Sequence, residues 1–370
     1  MGRDDGSGET YNHENDAEGR GSVKEMEEEY EILESTVKDF NAKYVDNNSL
    51  KLENESMGKE FVKMLADQGF FSMAGQGEDG KSADIKALSV VLENLAKSAP
   101  AVAVKTLMIN SFSSVVNEKG IVDSVSTGTK SGTVTFSDLL VGKDQNGSLR
   151  VEGGRIKGEK EFVFGSDSDF VITLLDSGEL VIIKSGFSAG KKHKKLGFRS
   201  IGFSSITVDS ADFSIISKDG RKLLERMYEE LSIPVAAIAL GMSEGVSQKA
   251  LDYAKVRTAF GHYLKDFQPL AFDIASLVAE MDILKRYFHD LLAATSSDKE
   301  ALFLKHKALT LAKDISRTSL QIHGGYGYLE DFGIEKFYRD AMALSVLFHN
   351  EEKDMEKLAG LVFDARAGFV

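Results

Sequence analysis

Two groups of residues have the types and spacing to hold a phosphate-bearing ligand. In YAKVRTAFGHYLKDFQ, residues 253–268, Arg257 is followed by Phe260-Gly261 and then Gln268. In QIHGGYGY, residues 321–328, Gln321 precedes Gly324, Gly325 and Gly327. A guanidinium offers a planar fork of donors to phosphate oxygens, and glycine lets backbone N–H groups approach a dianion unobstructed by a Cβ. Read alone, the groups fit a plainer description: a surface arginine and a tight turn between helices. The acids available for proton transfer are Glu351 and Glu352 after the turn, and Glu229 and Glu230 upstream. Each of them individually reads as a solvated helix-end charge. His349 reads as a solvated helix-end histidine in preference to an acid–base group. The Lys191–Lys195 run reads as a solvated loop between two strands in preference to a phosphate contact. None of the seven histidines forms an HxxxH or HExxH pair and there is no cysteine, so a metal site is not expected, and disulfides and cysteine nucleophiles are excluded.

Three blocks of different periodicity must position these residues. Residues 24–122 carry apolar residues at helical spacing, with Pro100 restarting the chain before a buried helix, AVAVKTLMINSFSSVV. Residues 123–216 alternate short β-branched runs with Gly, Asp and Ser. Asp176-Ser177-Gly178 reads as a hairpin turn, and the block as an antiparallel sandwich or barrel. Residues 217–370 are helical again, with a stripe from Phe267 to Leu291 and a capping box at Ser297 and Glu300, and are expected to form a four-helix bundle. The fold class is therefore α+β. Residues 1–23 are polar and acidic, and are expected to be a disordered tail. A net charge of −13 argues against a nucleic-acid surface. No apolar run approaches membrane-spanning length, and the N-terminus lacks the blocks of a signal peptide, so a cytoplasmic location is expected.

At R-x-x-F-G-x(6)-Q (257–268), Q-x-x-G-G-x-G-Y (321–328) and the Arg339-Asp340-Ala341 that follows, the chain resembles the acyl-CoA dehydrogenase family over residues 25–362. The resemblance implies FAD, an acyl-CoA substrate, an electron-transferring flavoprotein as acceptor, and a dimer or tetramer of identical chains. It places Arg257 at the flavin pyrophosphate with Phe260 and Gln268 as companions. It has Gln321, Gly324 and Gly325 approach the adenosine-side phosphates from a neighbouring subunit. In the β block, GEKEFVFGS (158–166) resembles the strand beside the flavin ring, with Phe162 in the aromatic place and Phe164 where a hydroxyl is usual. KKLGFRS (194–200) resembles a further family turn, and Thr135 stands where a threonine reaches the flavin.

The substrate end departs from the pattern. Counting from Arg339-Asp340-Ala341, the family's catalytic glutamate falls on Phe348, which cannot take a proton. The alternative base position, on an earlier helix, falls on Leu231, and Ser232 stands where an active-site arginine is common. The TFSDLLVG segment from Thr135 lacks the family's intervening turn. Glu351, Glu352 and Glu230 are the compensating acids to consider. A flavin monooxygenase, a non-thioester oxidase, or an inactive homologue serving as a partner are the alternatives.

Overall fold

The computed structural model describes residues 28–74, 84–142, 145–293 and 297–367; the expected tail at 1–23 lies outside them. The first block is helical: α1 (28–40, continued by a π turn at Asn41–Val45), α2 (Ser49–Asn54), α3 (Lys59–Asp67), α4 (Ile85–Ala96), α5 (Pro100–Ser113) and α6 (Lys119–Ser126). Pro100 occupies the first position of α5, where its missing N–H has no intrahelical partner to lose. Every residue of α5 is buried, because it packs at once against α4, strand β1 (Gly132–Val134) and helix α9 (Ser232–Val256).

Two four-stranded sheets follow. One has the order β1-β4-β5-β8 (Gly132–Val134, Phe170–Leu174, Leu180–Ile183, Phe213–Ser217), the other β2-β3-β7-β6 (Gly147–Glu152, Arg155–Phe164, Phe203–Ala211, Phe187–Ala189). FVITL and LVII are continuous apolar runs because β4 and β5 are buried on both faces. Val171, Val181 and Ile183 meet Leu149, Ile156 and Val163 of the other sheet, while Phe170, Ile172, Leu180 and Ile182 meet the helices. Asp176-Ser177-Gly178 joins β4 to β5, with Gly178 at φ 101°. The expectation of a wholly antiparallel block needs one correction: β1 runs parallel to β4. The chain leaves β1 through the short helix α7 (Ser137–Leu140) and the β2–β3 hairpin of the other sheet before β4 begins, so the return is a crossover that a parallel pair permits.

The last block holds α8 (Gly220–Glu230), α9 (Ser232–Val256), α10 (Gln268–Ala293), α11 (Asp298–His323), α12 (Glu335–Leu347) and α13 (Glu351–Ala367). Helices α9 to α12 form the bundle, with α9 and α11 at its centre. Ser297 and Glu300 close the capping box that starts α11. The first half of α9 is buried on all sides, and two of its glycines set its distance from α4. A Cβ at Gly241 would stand 2.0 Å from Glu93 O, and one at Gly245 would stand 1.9 Å from Lys97 O. Both obstacles are backbone and cannot rotate away. Gly241→Ala is therefore expected to cost about 3 kcal/mol in urea unfolding, the upper part of the range for overpacked cores. A change within about 0.5 kcal/mol would mean that α4 and α9 separate freely.

Arg339-Asp340 knits the three blocks together. The Arg339 guanidinium bonds Glu335 (3.0 Å), Glu53 of α2 (3.3 Å) and the carbonyl of Leu196 (2.9 Å). Asp340 accepts from the Phe198 N–H at 2.7 Å. The KKLGFRS turn and the Arg-Asp-Ala motif thus meet. Burial pushes the Asp340 carboxyl well above its ordinary range, reinforced by Glu53 and opposed by the Phe198 N–H and by Lys336 and Arg339.

Candidate active site

A cavity of about 250 Å³ opens where the two sheets meet the end of α12. Thr135, Phe136 and Ser137 form one wall, Phe162, Phe164 and Phe203 a second, and Val346, Leu347 and Phe348 a third, with Met108 of α5 behind. The placement of Phe162 has a local cause. Pairing of β3 with β7 shifts register between Lys160 and Val163, and Phe162 sits at φ 52° in that bulge. A bulge turns a side chain out of strand alternation, and a left-handed phenylalanine is a strained one. The ring is thereby left 37 % exposed at the cavity, while Phe164 is buried against Phe198 and Phe203.

The Thr135 wall is held by a carboxylate that the sequence reading did not single out. Asp138 accepts from Thr135 Oγ1 (2.7 Å), Asn146 Nδ2 (2.7 Å), Thr173 Oγ1 (3.1 Å), the Leu174 N–H (2.9 Å) and Lys160 Nζ (2.8 Å). With five donors it is a structural anchor with little capacity left for chemistry. The Thr135 hydroxyl is likewise committed, but the buried Ser137 hydroxyl, which also lines the cavity, has no partner among the described residues.

Among the described residues no carboxylate lines this cavity, and the Phe348 ring is buried in its wall. Glu351 and Glu352 lie exposed in the first turn of α13, and neither reaches it. Glu230 is exposed at the end of α8 with Arg226 at 3.7 Å; desolvation raises its pKa, against the pull of Arg226. A second cavity of about 220 Å³ shares Leu140 with the first and is lined by Tyr228, Glu229, Ser232, Lys305, Asn350 and Asp354 among others. Glu229 there pairs with Lys357 at 2.6 Å. Leu231 and Ser232 are both buried.

The solvated reading of His349 is overturned. Its side chain is 6 % exposed and its Nδ1 lies 2.5 Å from Asp354, which also holds the buried Lys305 at 2.7 Å. The connection between α12 and α13 turns His349 inward, where Asp354 satisfies both groups. Hydrogen bonds and ion pairs to His349 and Lys305 hold the Asp354 carboxyl below its usual range despite its burial.

The Arg257 motif and the glycine turn meet at the far end of the bundle. A cavity of about 450 Å³ is lined there by Tyr253, Arg257, Gln321, His323, Gly324 and Gly325. Helices α9 and α11 lie side by side and end together, so both motifs face this cavity from one chain. Arg257, at the C-cap of α9, is exposed with its guanidinium over the Tyr326 ring at 5.5 Å. Burial lowers the pKa of His323, favouring its uncharged form, and its ring stacks on Tyr253 at 4.4 Å. Phe260-Gly261, both at positive φ, form the two-residue turn between β9 (Thr258–Ala259) and β10 (His262–Tyr263). Phe260 is 95 % exposed, and Gln268 is exposed at the start of α10.

The glycines of the turn have separable causes. Gly324 caps α11 at φ 56°, and a Cβ at Gly327 would press on Leu320 O at 2.5 Å. Gly325 has an ordinary φ and open space where its Cβ would be, so nothing within the chain requires a glycine there.

The two ends lie far apart. Phe348 adjoins His349, which is linked through Asp354 to Lys305 near the start of α11, whereas His323 ends that helix. The eighteen helical steps from Lys305 to His323 span ~27 Å.

Comparison with known proteins agrees with this architecture. Residues 219–358 match the acyl-CoA dehydrogenase C-terminal domain. The 3-(aryl)acrylate reductase of Clostridium sporogenes is 26% identical over 357 residues, covering 86% of this chain and 94% of that protein. The caffeyl-CoA reductase-Etf complex subunit CarC of Acetobacterium woodii is 24% identical over 374 residues, 90% of this chain and 98% of that one. Butyryl-CoA dehydrogenase from Megasphaera elsdenii superposes with a TM-score of 0.77 at 21% identity, over 90% of this chain and 98% of its own. The last block thus carries an acyl-CoA dehydrogenase C-terminal domain, and the chain as a whole shares the fold of the acyl-CoA dehydrogenases, a family of FAD-dependent flavoproteins.

Proposed function

We propose that the chain is an FAD-dependent oxidoreductase acting on an acyl-CoA thioester and exchanging electrons with an electron-transferring flavoprotein. The cofactor would lie between two copies, its ring in the Phe162–Phe348 cavity of one and its phosphates at Arg257, Gln321, Gly324 and Gly325 of the other. The carrying observation is the ~27 Å of α11 between the two half-sites, which a ribityl chain cannot bridge within one copy. The residues fit such a ligand. The unpartnered Ser137 hydroxyl and the Phe162 and Phe164 faces suit a flat polar-edged ring, and Arg257 with the unexplained Gly325 suits a pyrophosphate. Around the second half-site Val256, Phe260, Tyr328 and Leu329 are exposed, an apolar surface suited to another copy of the chain. Names among the relatives, an acrylate reductase and a subunit of a caffeyl-CoA reductase-Etf complex, support the substrate class and the partner. Among the described residues no helix is long and apolar enough to cross a membrane, and a cytoplasmic location fits the cysteine-free chain.

Bound FAD supplies a hydride acceptor. The chain would orient the thioester against it through the Tyr228–Ser232 cavity and exclude water with the Phe136 and Phe348 rings, and among the described residues no carboxylate of the ring cavity would contact the α-proton. That last feature favours a second reading, a flavin reaction on this fold that needs no α-proton base. Anaerobic titration of the FAD-loaded protein with acyl-CoA thioesters decides between them. Bleaching of the flavin absorbance supports the first. No bleaching at any chain length, with oxygen consumption by the reduced protein on an aromatic or nitrogenous substrate, supports the second. A protein that takes up no FAD overturns both.

A further inference from the structure

A cavity of about 280 Å³ lies apart from both half-sites, where α3, the turn before β1, the β3–β4 connection and Ser200-Ile201 close over α5. Two polar groups form its buried floor. Lys105 is 8 % exposed and Ser200 4 %. Lys105 stands in the apolar middle of α5, and among the described residues its ammonium makes no hydrogen bond or close ion pair. The Ser200 hydroxyl is also without a partner. An ammonium has three donors and no acceptor capacity, so burying it unbonded is expensive. The charges acting on it are Asp167 and Asp169, which attract, and Lys192, which repels. Both carboxylates sit at the exposed rim and are already engaged: Asp167 accepts from the Gly202 N–H at 3.1 Å, and Asp169 from the Ser131 N–H at 2.8 Å. Lys59 and Lys130 stand at the same rim, giving the lining three cations against two anions.

We propose that this cavity binds a compact oxyanion, a phosphate or carboxylate group, with Lys105 as its buried charge partner, Ser200 as a neutral donor, and Lys59 and Lys130 at the mouth. The anion supplies the acceptor that Lys105 lacks. Because the lining comes from α3 and α5 on one side and the β block on the other, occupancy fastens the first helices to the sheets. Lys105 lies one helical turn from Met108, which backs the ring cavity, so the bound anion also stiffens that wall.

The test is calorimetric titration and thermal unfolding of the full chain with inorganic phosphate, and separately with malonate, against chloride at equal ionic strength. Both are run with and without saturating FAD. The expected result is binding at a Kd on the order of 1 mM or tighter, with a raised melting temperature, unaffected by FAD. A response to phosphate alone identifies the phosphate class, and one to malonate alone the carboxylate class. Lys105→Met, which keeps the stem and removes the charge, is expected to weaken binding at least ~10-fold and to be no less stable than the parent in chloride. Ser200→Ala, a milder change, is expected to weaken binding about threefold, and provides the reading if Lys105→Met does not fold. The proposal is overturned if neither anion binds more tightly than chloride, if both variants bind like the parent, or if saturating FAD abolishes the response. Failure of FAD binding leaves this outcome unaffected.

Discussion

The Phe348→Glu variant, loaded with FAD, is expected to be bleached by a short-chain acyl-CoA at least ~100-fold faster than the parent, the low end of what a positioned general base contributes. The reason is local. Phe348 is buried in a wall where, among the described residues, no side chain is a base, and the carboxylate of Asp138 nearby is saturated by five donors. A glutamate placed there is desolvated, which raises its pKa, and the bleaching rate should climb as pH rises through that value. Stopped-flow absorbance measures the rate. Phe348→Gln, of similar size and without basicity, should stay at the parent's rate, which separates chemistry from repacking. Equal rates in parent and glutamate variant, with both folded and flavin-loaded, would locate the working base elsewhere and discard the account of Phe348 given above.

At the other half-site, Arg257→Ala is expected to weaken FAD binding about 100-fold, the loss of two charge-assisted bonds to phosphate. Gly325→Val is the sharper variant. A Cβ there meets no atom within 4 Å beyond its immediate chain neighbours, so the cofactor-free protein should melt within about 1 °C of the parent. Its FAD affinity should nonetheless fall at least ~10-fold, since the new side chain occupies the approach to the backbone N–H groups. Fluorescence titration of apoprotein reports both. Unchanged affinity in the two variants would place the phosphates away from this cavity.

The parts of the molecule readable from sequence are those fixed by local rules. The Ser297–Glu300 box starts α11 and Asp176-Ser177-Gly178 turns β4 into β5 because each depends on four or five neighbouring residues. The Arg257 and glycine motifs were readable because each clusters in sequence, and they meet because α9 and α11 end together. What was missed depends on partners distant in sequence. The inward turn of His349 is set by Lys305, which needs the same Asp354. Asp138 sits in plain view in TFSD, but its partners come from Lys160 and Thr173 on two other strands. The parallel β1–β4 pair gives no signal in either strand, since a run buried on both faces looks alike in both arrangements. Lys105 did carry a signal: one lysine in a fully buried helix demands an explanation that propensity cannot give.

The separation of the two half-sites along α11 carries a thermodynamic consequence. If each cofactor spans two copies, association of the chains and retention of the flavin are linked equilibria. Each then strengthens the other by the same factor. Flavin content becomes a function of protein concentration as well as of cofactor concentration, so dilution alone sheds the yellow colour and added FAD drives monomers together. A small contact area between the chains would then suffice for assembly, because the cofactor itself forms part of the joint.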